Sequence, residues 1–179
     1  METHVGQGVG IYIQKELFSA SKQILISTPL ISYSLGEKLI DISKRGINIK
    51  ILTSETDVIN YKNTIDLLRK FSRDKKSHTI EKNDSLFEIK VVSLQDVALI
   101  HAKIYVIDDI CAITGSANLT EDSFFNYPEY VIIDKESNNI HQVKRDFQNL
   151  WDTYSDMSTK TSLTNRKIRR LIWNIRSKL

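Results

Sequence analysis

The sequence predicts an α/β domain. Its apolar residues switch repeatedly between helical spacing and the alternation of strands. At 179 residues the chain is long enough for one domain with a hydrophobic core and too short for two ordinary ones. A hydrophobic fraction of 41% with only six glycines and two prolines excludes fibrous or disordered classes.

Ile11 to Lys22 reads as a helix, with Ile11, Ile13, Leu17, Phe18 and Ala20 toward one side. Ile24 to Thr28 is a short apolar strand stopped by Pro29, and Leu35 to Arg45 a helix ended by Gly46. Ile47 to Thr53 alternates as a strand. The next helix spans Asp57 to Phe71, carries Val58, Tyr61, Ile65 and Leu68 at helical spacing, and has Thr56 or Asp57 available as a cap. The polar stretch Ser72 to Ser85 reads as a loop. Strands follow at Phe87 to Leu94, Ile100 to Ile107, Ile110 to Thr114 and Tyr127 to Asp134, then a helix from Ile140 to Tyr154. Met157 to Thr164 reads as a linker into a basic helix, Asn165 to Lys178. The expected organisation is a main domain over residues 1–155 and a basic appendage over 156–179.

Charge is divided unevenly. From Lys160 onward there are seven basic residues and no acidic ones, so the overall +3 leaves −4 for residues 1–159. Such a tail fits a polyanionic partner, with Arg166, Lys167, Arg169 and Arg170 as candidate nucleic-acid contacts. Cys111 is the single cysteine, which excludes an internal disulfide and zinc-finger spacing and fits a reducing compartment. No apolar run reaches the ~20 residues of a membrane span, and no secretion signal is evident, so cytoplasmic residence is expected.

Residues 101–118 read HAKIYVIDDICAITGSAN. In a strand, residues two apart share a face, so His101 and Lys103 are expected to project together while Ala102, Ile104 and Val106 turn away. Asp108, Asp109 and Ile110 suit a tight turn. A hairpin centred near Asp109 pairs residues whose numbers sum to about 218, bringing Ser116 and Asn118 toward His101 and Lys103. An imidazole, an ammonium, a hydroxyl and a carboxamide then surround one small volume. All but the imidazole are donors suited to phosphate oxygens, which leaves histidine as the nucleophile. A metal is disfavoured, because Lys103 would repel a cation and no carboxylate pair supplies ligands.

The spacing is His-x-Lys, four residues, Asp108, six residues, then Gly-Ser-x-Asn. It resembles the HKD motif of the phospholipase D superfamily at every specified position. The helix and strand at Ile11 to Pro29, the strand entry Lys44-Arg45-Gly46-Ile47, Glu129 on the strand after the motif and Phe147 to Trp151 look similar as well, over roughly residues 10–154. The resemblance implies a phospholipase D-like fold, a mixed sheet flanked by helices on both faces. It implies two-step chemistry without cofactor: one His101 attacks phosphorus to form a phosphohistidine, and a second protonates the leaving oxygen and then activates water. Lys103 and Asn118, supported by Ser116, would hold the phosphoryl oxygens, and Glu129 would accept a histidine ring N–H. Asp108, though part of the motif, points away from His101 by its parity and takes a structural role. The chain holds one motif, and small single-motif members form homodimers with the site on the two-fold axis.

Other features admit plainer readings. His4, His78 and His141 lack Lys and Asp at the motif spacing. Arg69, Lys70, Arg73, Lys75 and Lys76 could line a nucleic-acid groove but also complement a helix dipole. The tail could bind nucleic acid, pack on the dimer, lie on anionic membrane or lead into a DNA-binding or partner domain. The function that follows is a metal-independent endonuclease acting on DNA or RNA. A phospholipase D or cardiolipin-hydrolase activity is the second reading, and a non-catalytic phosphate-binding module the third.

Overall fold

Strands and helices alternate as the apolar spacing predicts: β1 (Glu2–Gly6), α1 (Gly10–Phe18), β2 (Gln23–Ser27), α2 (Tyr33–Lys44), β3 (Asn48–Ser54), α3 (Ile59–His78), β4 (Phe87–Val92), β5 (Ile104–Ile107), β6 (Cys111–Gly115), a π-helical turn (Asp122–Asn126), β7 (Glu129–Asp134) and α4 (Ser137–Thr153). The structure is a computed structural model that describes residues 1–78, 86–94, 99–154 and 156. The basic tail, with Arg166, Lys167, Arg169 and Arg170, lies outside the described residues, as does the 79–85 part of the expected loop.

The strands form one seven-stranded sheet in the order β1-β7-β6-β5-β2-β3-β4. β2, β3 and β4 run parallel, while β2–β5, β5–β6, β6–β7 and β1–β7 are antiparallel, so the sheet is mixed as expected. Alternation along the strands separates two apolar layers. On one face Ile24, Ile26, Ile49, Ile51, Tyr105 and Ile113 meet Ile13 and Leu17 of α1, Leu35 and Leu39 of α2, and Leu68 of α3. On the other, Leu25, Leu52, Val106 and Ala112 meet Ile140 and Phe147 of α4. Helices therefore cover both faces.

Four sequence expectations change. The first helix stops at Phe18 rather than Lys22, because the N–H groups of Ser21, Lys22 and Gln23 bond the Asp108 carboxylate instead of the helix. The third helix continues through residues 72–78, expected as loop, since Arg and Lys are good helix formers even without an apolar face. Thr56 accepts the Val58 N–H one residue ahead of that helix. An unexpected strand, β1, pairs with β7 from Glu2↔Ile133 to Gly6↔Glu129. Residues 101–103, expected to begin a strand, lie ahead of it, and β5 starts at Ile104. Gly46 follows α2 at φ +92°, the left-handed conformation that makes glycine a helix stop.

Candidate active site

The motif folds as the expected hairpin. β5 and β6 pair Ile104↔Thr114, Tyr105↔Ile113, Val106↔Ala112 and Ile107↔Cys111, each summing to 218. Asp108 and Asp109 both take positive φ (51° and 57°), and the Ile110 N–H donates to the Ile107 carbonyl at 3.0 Å. Short acidic side chains tolerate this left-handed pair, which matches the twist of the flanking strands.

Asp108 lies at the far end of this hairpin from His101. Its carboxylate accepts the N–H groups of Ser21 (2.5 Å), Lys22 (2.8 Å) and Gln23 (2.7 Å) and the Ser21 hydroxyl (2.8 Å). Partial burial pushes its pKa up, but the bonds from Gln23, Ser21 and Lys22 outweigh burial and hold it below the usual carboxylate value. Asp108 thus joins the motif to the start of β2, at the end of the hairpin away from His101.

The His101 end of the motif lies where parallel β2 and β3 finish, the usual position for a site in an α/β sheet. Here the entering segment 100–103 is held by hydroxyls: Ser54 accepts the Ile100 N–H at 2.7 Å, and Ser27 donates to the Ala102 carbonyl at 3.1 Å. Ala102 packs with the α4-side layer alongside Ile104 and Val106, so the expected parity survives without strand pairing. His101 and Lys103 nevertheless differ in setting. The His101 side chain is exposed, whereas Lys103 is 6% exposed and donates from Nζ to the His101 carbonyl at 2.8 Å. Burial lowers the Lys103 pKa below that of an ordinary lysine, opposed by the nearby Glu129 carboxylate.

The returning segment is equally fixed. Gly115 lies so close to β7 that a Cβ there would meet the Tyr130 carbonyl oxygen at 2.1 Å. Only glycine fits. Next to it the Ser116 N–H donates to the Tyr130 carbonyl (2.9 Å), and the Ser116 hydroxyl accepts the Tyr130 N–H (3.0 Å) while donating to Glu129. Glu129 was expected to meet a histidine ring N–H; within the chain its hydrogen bond goes to Ser116. Asn118 is half-buried, and its Oδ1 is buried with no hydrogen-bond partner among the described residues. A buried carboxamide oxygen or, after amide rotation, nitrogen that the described residues leave unmatched can take a partner from outside the chain.

Three supports were not foreseen. The buried Tyr105 hydroxyl donates to the Ala117 carbonyl at 2.9 Å, and Thr28 Oγ1 accepts the Leu119 N–H at 3.2 Å, fixing both sides of Asn118. Ser54 anchors residue 100. A tyrosine inside an apolar strand was the available signal, because a buried phenol must find a partner. Among the described residues no three His, Cys, Asp or Glu side chains cluster as a metal site requires, and no helix is long and apolar enough to cross a membrane. His4 stacks on Tyr12 (centroids 3.5 Å apart), and His141 is exposed on α4.

Over residues 13–151 the sequence matches the model of a family described as cardiolipin synthase, PLD-like domain. The fold is similar to that of Nuc, a phospholipase D family member from Salmonella typhimurium, with TM-score 0.66 and 17% identity over 87% of this chain and 97% of that one. NucT from Helicobacter pylori gives TM-score 0.64 and 19% identity over 87% and 98% of the respective chains. Phosphatidylserine synthase from Haemophilus influenzae Rd KW20 gives 0.62 and 14% over 98% and 46%. None of the curated proteins matches the sequence significantly.

Proposed function

The chain belongs to the phospholipase D superfamily, and from that premise we propose that it is a metal-independent endonuclease whose active site is shared by two copies. The observation that carries the reading is the pairing of an exposed imidazole, His101, with a buried ammonium, Lys103, bonded to the same residue's carbonyl at 2.8 Å. The imidazole is free to reach phosphorus. The ammonium spends one N–H on His101 and has others for phosphoryl oxygens in a poorly solvated place, where charge stabilisation is strongest. Asn118, whose Oδ1 has no partner among the described residues, supplies a further donor through its amide nitrogen.

In the first step a His101 ring nitrogen forms a bond to phosphorus as the bond to the leaving oxygen breaks. His101 of the partner subunit gives its proton to that oxygen. In the second step the now neutral partner imidazole takes a proton from water, the water oxygen bonds phosphorus, and the N–P bond breaks. Both histidines return to their starting states. Ser116 holds Glu129 in place, and Glu129 orients an imidazole in the assembled dimer. The seven tail cations favour nucleic acid over phospholipid as the source of the phosphodiester.

Incubation with labelled single-stranded DNA, duplex DNA, RNA and phospholipid vesicles in excess EDTA tests the reading. Nucleic-acid cleavage that persists in chelator is the expected result. Activity restored only by magnesium would overturn the mechanism, and hydrolysis of phospholipid alone would replace the substrate.

A further inference from the structure

Two residues beyond Asn118 the chain enters the wall of a cavity of about 610 Å³, a size typical of small-ligand sites. It lies between the starts of α2 and α3 and the segment leading into the π-helical turn. Thr120 in its wall is at most ~7 Å along the chain from Asn118. The isolated bridge Ile31↔Leu119 and the Ser32 N–H bond to the Leu119 carbonyl (2.9 Å) hold the cavity against the reacting end.

The chemistry of this cavity differs from that of the phosphate site. Its lining contains no lysine, arginine or histidine and includes two carboxylates, Glu121 and Asp122. A phosphate would be repelled there. It offers two phenol rings, Tyr33 and Tyr61, and two carboxamides, Asn60 and Asn63. Tyr33 is 48% exposed, a large ring that the core does not use. Burial, then Asp122 and Tyr127, raise the Tyr61 pKa and keep it a neutral phenol. Ser32 Oγ is buried on this wall with no hydrogen-bond partner among the described residues.

We propose that this cavity is a nucleobase subsite, taking the base of a nucleotide that adjoins the scissile phosphate. The inference rests on the endonuclease reading and adds what that reading lacks, a place for something other than phosphate. Neutral aromatic faces stack on any base, the carboxamides and Ser32 can bond its edge, and the carboxylates keep the backbone in the cationic site next door. A base reaches such a cavity only when unstacked, so the preferred substrate is single-stranded or locally opened.

The test is a cleavage ladder. A single tetrahydrofuran abasic residue is placed within end-labelled, mixed-sequence single-stranded DNA and RNA, and cutting is mapped at every linkage. The expected result is a gap on the order of tenfold at one fixed offset from the abasic residue, with other linkages cut normally. Tyr33→Ala should fill in the gap by slowing all linkages alike, and Tyr33→Phe should retain it. A uniform ladder from the wild-type protein overturns the subsite while leaving the endonuclease reading intact. A gap that persists in both Tyr33→Ala and Tyr61→Ala overturns it too, since the base is then held elsewhere. Absence of any ladder removes the endonuclease reading, and the subsite falls with it.

Discussion

The Ser116 hydroxyl donates to the Glu129 carboxylate and accepts the Tyr130 N–H, linking the end of β6 to the start of β7 near Lys103. Ser116 thereby occupies one carboxylate oxygen, and in the proposed mechanism the other meets an imidazole N–H. Ser116→Ala should lower kcat by about tenfold with little change in KM, and Glu129→Gln by about a hundredfold, as expected for loss of a group acting on the general acid–base. Steady-state kinetics on one oligonucleotide checks the order. Equal effects on KM alone would instead make both residues substrate contacts.

Lys103 sets function against stability. Its folded pKa is lowered from 10.5, chiefly by burial, so the folded chain binds that proton more weakly than the unfolded chain. Folding is penalised at neutral pH, and the penalty fades as pH rises through the folded value toward the unfolded one. Lys103→Met should therefore match or exceed the wild type in melting temperature at pH 7 while losing at least about a hundredfold in cleavage rate. A clear fall in melting temperature would show that the ammonium stabilises the fold.

Asp108 should behave in the opposite way. Its lowered pKa contributes stability that is fully present above the unfolded carboxylate value and is lost as pH falls through the folded one. Asp108→Ala should cost about 1–3 kcal/mol of stability at pH 7 and flatten the acid limb, while kcat of the folded protein is retained. Chemical denaturation across pH 2–7, paired with turnover, checks both halves.

If the two catalytic histidines come from two copies, a mixed dimer with one wild-type and one His101→Ala subunit is inactive. Random exchange with an equal amount of mutant should remove about half of the wild-type subunits' activity. Isolated mixed dimers with full activity per wild-type chain would reject a shared site.

The hairpin was readable because its information is local. Asp108 and Asp109 permit the left-handed turn, Gly115 is forced by the Tyr130 carbonyl, and a turn once placed fixes the register of everything beyond it. What stayed hidden depends on distant partners. Glu2–Gly6 lacks a strong strand pattern and becomes β1 because β7 offers an edge. Residues 101–103 fail to extend β5 because Ser27 and the Lys103 ammonium claim the carbonyls of Ala102 and His101, while Ser54 holds the Ile100 N–H just ahead of them. The Glu129–Ser116 bond was hidden for a similar reason, since only the β6–β7 register brings the two together.

That β1 pairs with β7 also bears on when the protein becomes active during its synthesis. Gly6 faces Glu129 in the sheet, so β1 has no partner until β7, far later in the chain, has been made. At ~5–20 residues per second the wait is on the order of ten seconds. For the last part of that interval His101 and Lys103 are present without the strand that carries Glu129, and throughout it β1 lacks its partner. A chain ending before β7 would carry His101 and Lys103 without Glu129, the carboxylate that the Ser116 hydroxyl bonds, and would leave β1 with no strand to pair with.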